Sequence, residues 1–101
     1  MLELRPVCEN CGRDLPNNSE VAMICSFECT FCTDCVQNIL QNVCPNCGGG
    51  FEKRPVRPAD CKTTFCIENY PATTKKKLRP VDLEKFKPLK DHFHTINPAD
   101  R

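Results

Sequence analysis

The chain has 101 residues, of which ten are cysteine, nine are proline and none is tryptophan. Its apolar fraction of 40% includes the cysteines and therefore overstates the apolar core. A chain of this length forms at most one small domain with extensions. A segment of about 50 residues buries too little apolar surface to be stable alone, so we expect disulfides or bound metal to stabilise it.

The charged residues divide the chain into an acidic and a basic half. Residues 1–50 carry two basic and six acidic side chains, whereas residues 51–101 carry twelve basic and seven acidic ones, which together give the net charge of +1. Four thiolates around one Zn²⁺ would add a charge of about −2 and make the first half still more acidic. We therefore expect the two halves to contact each other before either contacts a partner.

Residues 1–54 are predicted to form a double zinc-binding domain, because eight of the ten cysteines lie there. Four of the gaps between consecutive cysteines are C-x2-C steps, a spacing typical of zinc sites rather than of a disulfide framework. The predicted ligands are Cys8, Cys11, Cys25, Cys29, Cys32, Cys35, Cys44 and Cys47. Closed four-cysteine sites are structural, so we expect two structural Zn²⁺ ions, no catalytic residue and no enzymatic activity.

Local patterns in this domain predict a short hairpin and one short helix. Residues 21–24 form an apolar run that favours a β-strand. After it, the apolar positions 36, 39, 40 and 43 recur at the spacing of one helix face, with Asp34 placed to cap the helix or to interact with its dipole. The C-x2-C strings at residues 8–11 and 44–47 are predicted to form tight metal-binding turns, here called the first and second knuckle. Gly12 and Gly48 follow them at positions where a positive φ is needed. Phe51 is expected to fold back onto the core.

Residues 55–101 are predicted to form a basic, proline-containing tail that is largely irregular, either extended or disordered. Repeated X-Pro steps exclude a long helix there. A short helix is expected only near residues 82–87, with Asp82 as its cap, Leu83 and Phe86 on one side, and Pro88 as its end.

The eight thiolates can be paired in two ways. Sequential pairing would give the first four cysteines to one ion and the last four to the other, as in LIM modules. Interleaved pairing is favoured, because the Cys29–Cys32 link is too short to join two independent sites and the gap before Cys44 is shorter than the second loop of LIM modules. It assigns Cys8, Cys11, Cys32 and Cys35 to site 1 and Cys25, Cys29, Cys44 and Cys47 to site 2. Phe31 would then lie between the sites.

Two strings carry a resemblance to RING domains. Residues 29–35, Cys-Thr-Phe-Cys-Thr-Asp-Cys, resemble the signature H-x-F-C-x-x-C with cysteine in place of histidine, and residues 44–47, Cys-Pro-Asn-Cys, are similar to the closing C-P-x-C. Over residues 8–51 the resemblance implies a small α+β, zinc-stabilised, treble-clef-related cross-brace. RING ligases usually bind their partner through four features, and this chain has only one of them, Pro45. Ubiquitin-ligase activity is therefore a lesser alternative.

A second resemblance is to a family of short, cysteine-rich bacterial proteins, the domain of unknown function 1272. It is carried by the strings at residues 1–6, 24–32 and 44–49 and extends to about residue 58. This resemblance implies a bacterial source and supplies no activity.

The function predicted from these observations is that of a non-enzymatic adaptor or regulatory module, which binds a protein partner through the surface beside the helix. No small-molecule substrate is expected. One alternative is nucleic-acid binding through the basic residues Lys75, Lys76, Lys77 and Arg79. Another is a redox- or metal-responsive switch, in which oxidation of the thiolates releases zinc. A third metal site made of Cys61, Cys66, His92 and His94 is left open.

The first residues contain no apolar run of signal-peptide length, and no stretch approaches the roughly 18 apolar residues of a membrane span. We therefore expect a cytoplasmic protein without membrane partners, in which thiols stay reduced.

Overall fold

The computed structural model describes all residues, 1–101. Three short strands form one antiparallel sheet in the order β2–β1–β3. Their bounds are Ala22–Ile24 for β1, Thr30–Cys32 for β2 and Glu52–Lys53 for β3. Strands β1 and β2 form the predicted hairpin, in which Met23 lies opposite Phe31. On the other side of β1, Met23 lies opposite Lys53, so the end of the cysteine-rich part pairs with its middle.

A helical segment follows β2 without a break. It consists of an α-helical turn, α1 (Thr33–Cys35), and a π-helical continuation, Val36–Leu40. The predicted apolar face is confirmed, since Val36, Leu40 and Val43 are buried and Ile39 packs against the core.

The ends of this segment differ from the sequence-based prediction. Cys32 is the N-cap and Asp34 lies in the first turn, so the prediction that Asp34 caps the helix is wrong, although its charge still favours the helix dipole. The segment ends early because both Gln41 and Asn42 have a left-handed backbone, with φ of 49° and 60°.

The core is a cluster of 14 buried residues, six of which are cysteines. Phe31 is almost fully buried, and its ring meets that of Phe51 edge to face, with centroids 5.5 Å apart. The prediction that Phe51 folds back onto the core is confirmed by its burial.

Residues 54–82 contain no helix or strand, yet they contact the N-terminal segment repeatedly. Arg57 donates to the backbone oxygens of Leu2 at 2.8 Å and Tyr70 at 2.6 Å. Farther along, the backbone N–H of Thr73 donates to the oxygen of Leu4 at 3.1 Å. This irregular part of the tail is therefore hydrogen-bonded to the first residues of the chain.

The tail ends in a longer helix than predicted, α2 (Leu83–Phe93). Its N-cap is Asp82, as predicted, whose carboxylate accepts from the backbone N–H groups of Glu84 and Lys85. The prediction that Pro88 ends the helix is wrong, because the helix continues through it for five residues. Proline removes a single intrahelical hydrogen bond, that to the carbonyl of Glu84, and packing of α2 against the core offsets the cost.

Helix α2 packs on the core through residues after its first turn. Phe86 is buried, and Leu89 and Phe93 pack against the core cluster, whereas Leu83 is 60% exposed. A short 3-10 turn, Pro98–Asp100, completes the chain. None of the helices has the length and apolar character needed to cross a membrane.

Candidate metal centres

Four thiols meet at the first centre. The Sγ atoms of Cys8, Cys11, Cys32 and Cys35 all lie within 4.8 Å of one another. The distance from Cys8 to Cys35 is 3.8 Å and that from Cys11 to Cys32 is 3.7 Å. A tetrahedral zinc ion with Zn–S bonds of about 2.3 Å would set its sulfurs about 3.8 Å apart. The donor set and its spacing therefore fit a four-cysteine zinc site.

The backbone explains how the first two thiols are presented. Cys8 donates its N–H to the oxygen of Arg13 at 2.8 Å and accepts from the N–H of Gly12 at 3.0 Å, which closes a tight knuckle. Gly12 has a φ of 77°, the conformation expected for this position. Cys32 at the end of β2 and Cys35 in α1 supply the other pair from the opposite side.

The second centre brings three thiols together and has a fourth beside them. The Sγ atoms of Cys25, Cys44 and Cys47 lie within 4.8 Å of one another, and the Cys29 thiol neighbours those of Cys25 and Cys44. The knuckle at residues 44–48 repeats the closing hydrogen bond, from the N–H of Gly48 to the oxygen of Cys44 at 2.8 Å, and Gly48 has a φ of 78°. The structure thus groups the thiols in the interleaved order and not the sequential one.

Two asparagines, which the sequence analysis did not single out, donate to sulfur. Asn10 Nδ2 lies 3.4 Å from Cys35 Sγ, and Asn46 Nδ2 lies 3.3 Å from Cys29 Sγ. Each asparagine is the third residue of a knuckle and reaches a sulfur that the partner half of its centre supplies. The repeated C-x-N-C pattern was the available signal. Such donors orient ligand sulfurs and stabilise their negative charge.

The pKa shifts of the thiols indicate that a metal ion must displace their protons when it binds. Burial raises the pKa of Cys29, Cys32, Cys35 and Cys44. Burial also opposes ionisation of Cys8, but there the backbone N–H groups of Cys11, Cys32 and Asn10 prevail and lower the pKa. Without a cation most of these thiols therefore hold their protons, and a metal ion must displace them.

The acidic residue inside the first knuckle is not free to act as a ligand or a base. Glu9 is buried, and its carboxylate accepts from Arg5 Nη1 at 2.8 Å and from the backbone N–H of Thr30. This ion pair holds the N-terminal segment on the hairpin. No local pattern indicated it, because Glu9 lies between two ligands, where a solvated side chain is the simplest expectation.

The alternative of a third metal site is not supported. Cys61 and Cys66 are joined by a disulfide, so neither is a free thiol, and the expectation that all thiols stay reduced is wrong for this pair. The other eight cysteines are free. His92 and His94 lie at the end of α2, where the His92 ring meets Phe93 edge to face.

The basic run proposed to contact nucleic acid lies along the irregular part of the tail. Lys75 and Lys76 are exposed, whereas Lys77 Nζ lies 3.6 Å from a carboxylate oxygen of Glu3. Arg79 uses its backbone N–H to bind the oxygen of Glu9 at 2.7 Å. The run therefore combines solvated charges with contacts to the acidic domain.

A groove of about 340 Å³ separates the two knuckles from the tail. The knuckles contribute Glu9, Pro45 and Asn46, and the tail contributes residues 79–82 and the side chains of α2. It is the surface beside the metal centres at which apolar, acidic and basic groups meet.

Comparison with known proteins gives a family without an assigned activity. The model of a family described as "Protein of unknown function (DUF1272)" matches residues 1–57. An uncharacterized protein of Rhizobium meliloti (strain 1021) is 54% identical over 80 residues, which cover 79% of this chain and 89% of that protein. No solved structure matches the chain.

Proposed function

Because the chain belongs to the DUF1272 family, whose description names no activity, we propose its function from the site: it is a non-enzymatic module in which two structural Zn²⁺ ions hold a surface for a protein partner. The observation that carries the proposal is the pair of interleaved thiol clusters, with sulfur–sulfur distances of 3.7 and 3.8 Å in the first. All-sulfur tetrahedral sites bind zinc or iron, and zinc is the usual structural ion.

The chemistry of the clusters supports a structural role. A catalytic zinc keeps one position open for water or substrate, whereas four sulfurs meet at the first cluster. At the second cluster, Cys29 lies beside the group of Cys25, Cys44 and Cys47 and is the fourth sulfur that would close the site. The nearest carboxylate to the first knuckle, Glu9, is engaged by Arg5 and by the backbone of Thr30. Zinc bound here would supply folding free energy, and the residues around it would present a fixed surface.

The adaptor role is supported by the groove between the knuckles and α2. Its knuckle side is lined by the apolar groups of Phe31 and Pro45 with Glu9 beside them, and α2 supplies the facing apolar side chains of Phe86 and Leu89. An apolar centre with a charged edge is the usual composition of a protein-binding surface.

Native mass spectrometry of the purified chain tests the metal assignment. We expect two zinc ions per chain, and one ion or iron in their place would contradict the assignment. For the adaptor role, an affinity pull-down from the source cell should recover a defined protein, unaffected by nuclease and lost in Cys32→Ser. A nuclease-sensitive capture that falls steeply with salt would instead support nucleic-acid binding.

A further inference from the structure

The C-terminal part of the chain covers both zinc knuckles at positions that have no side chain. A Cβ at Gly48 would lie 2.6 Å from the ring of Phe93, and a Cβ at Gly50 would lie 2.9 Å from Pro98. At the first knuckle a Cβ on Gly12 would lie 3.5 Å from Leu78. Larger residues at Gly48 and Gly50 would therefore displace the tail.

The tail also pairs with the first knuckle through its backbone. The N–H of Arg79 donates to the oxygen of Glu9 at 2.7 Å, and the N–H of Val81 donates to Asn10 Oδ1 at 2.8 Å. Two N–H groups of this segment thus bind the knuckle, one at its backbone and one at the Asn10 side chain. Asn10 uses its other atom, Nδ2, for Cys35, so one side chain links the tail to the first metal centre.

Helix α2 then supplies the anchor. Phe86 is 5% exposed and belongs to the same buried cluster as Phe31 and the ligand cysteines. Seven residues later Phe93 lies on Gly48 of the second knuckle. An extended stretch followed by a short helix with two aromatic anchors therefore spans both centres.

Two further observations separate this covering segment from the domain that it covers. The DUF1272 model ends at residue 57, so the segment lies outside the part of the chain that defines the family. The charges are opposite in sign, because residues 1–50 carry six acidic and two basic side chains whereas residues 79–94 carry four basic and three acidic ones.

We propose that the two knuckles form a docking site for a segment of a partner protein, consisting of an extended stretch and a short amphipathic helix with aromatic anchors. Residues 79–94 of the same chain occupy this site and must be displaced before the partner binds. This inference rests on the proposed function and names its partner chemistry and its regulation.

In such a site the chain's own tail competes with any external segment for the knuckles. A tethered segment competes at an effective concentration in the millimolar range. The apparent affinity for a partner falls in proportion to the fraction of molecules in which the site is open. A substitution that weakens the chain's own tail should therefore tighten the binding of an external copy of the segment.

The test uses a fluorescein-labelled peptide of residues 79–94 and the full-length, zinc-loaded protein, with fluorescence anisotropy as the readout. We expect the peptide to bind Phe86→Ala at least about tenfold more tightly than the unmodified chain, because the open fraction rises. The same peptide carrying Phe86→Ala should not bind. Lys62→Ala, a matched change at an exposed tail residue outside the docking contacts, should leave the affinity unchanged.

A second variant keeps the core intact. Arg101 donates to the oxygens of Asn42 at 2.6 Å and Gly48 at 3.1 Å, so Arg101→Ala loosens the end of the tail without removing a core side chain. We expect it to bind the peptide about threefold to tenfold more tightly, the effect of losing one or two hydrogen bonds.

The outcomes separate the two proposals. Equal affinity of the unmodified chain and Arg101→Ala, or no binding to a variant that still holds two zinc ions, would overturn the docking site and leave the zinc module standing. If the unmodified chain itself holds no zinc, the proposed function fails and this inference fails with it.

Discussion

Two asparagines, Asn10 and Asn46, occupy equivalent places in the two knuckles, yet only Asn10 also forms a hydrogen bond with the tail. Asn10 donates to Cys35 Sγ and accepts from the N–H of Val81, whereas Asn46 donates to Cys29 Sγ. This difference makes the pair a matched test of how the first centre and the tail are linked.

We expect Asn10→Ala and Asn46→Ala each to lower the zinc affinity of its own centre by about tenfold, the lower end of what is typical when a residue that supports a metal ligand is removed. Competition with a chromogenic chelator measures this. Only Asn10→Ala should also speed amide exchange at Val81, since it alone loses that acceptor. Unchanged exchange at Val81 in Asn10→Ala would contradict the link.

Arg54 is a buried cation that is paired with backbone carbonyls and not with a carboxylate. It is 1% exposed, and burial lowers its pKa. Its guanidinium donates to the oxygens of Arg5 at 2.8 Å, Leu15 at 3.0 Å and Pro16 at 2.8 Å. These contacts join β3 to two segments of the first knuckle region.

Arg54→Ala should lower the free energy of unfolding by about 2–4 kcal/mol, because three carbonyls, one of them buried, lose their donor. Arg54→Lys should restore little, since an ammonium cannot reproduce the planar fork. Denaturant unfolding of the zinc-loaded protein is the measurement. The exposed pair of Arg13 with Asp34 provides a control, as Arg13→Ala should cost less than about 1 kcal/mol.

Among the elements, α2 retains a proline in its interior. Replacing Pro88 with alanine supplies an N–H for the carbonyl of Glu84 and removes the ring, so Pro88→Ala should stabilise the helix by up to about 3 kcal/mol. Amide hydrogen exchange measures this, and we expect it to become slower at residues 89–93. Exchange as fast as in the unmodified chain would mean that packing, not the backbone, limits the opening of α2.

The elements of the cysteine-rich part could be predicted because their signals are local. Cysteine spacing indicated the interleaved grouping, the period of residues 36–43 indicated the buried helix face, and the run at 21–24 indicated β1. The end of the helical segment could not be predicted, since left-handed Gln41 and Asn42 have no distinctive pattern.

The position of the tail could not be read from local pattern, because long-range contacts decide it. The X-Pro steps predicted irregular backbone, which residues 54–82 have, whereas α2 runs through the step at Pro88. The opposite charges of the two halves indicated contact between them. The sites of contact depend on Gly48 and Gly50 being free of side chains where Phe93 and Pro98 arrive. Likewise Pro88 ends a helix by local rules, but the burial of Phe86 on one side of it carries α2 onward.

For the whole molecule, acid should release the metal. Burial raises the pKa of Cys35 and Cys44, so protons compete strongly for these ligands, and metal affinity should fall from about pH 8 to about pH 5. The pH dependence of stability has the opposite sign in the metal-free protein. Any folded metal-free form is favoured below the ordinary thiol pKa of about 8.5 and loses stability as the pH rises above it. Zinc release at each pH and melting after chelation measure both trends, and metal retention that is independent of pH would contradict the first.

The interleaving of the two clusters has a consequence for how the ions are taken up. Joining Cys11 to Cys32 through one ion closes a loop that contains Cys25 and Cys29, so the entropy of ordering that loop is lost only once. The second ion then meets ligands that are already gathered, and uptake should be cooperative. At one equivalent of zinc, native mass spectrometry should find chains with two ions and chains with none, and abundant one-ion chains would argue against this. The fraction of folded, zinc-loaded protein would then change sharply at a threshold zinc concentration and not gradually.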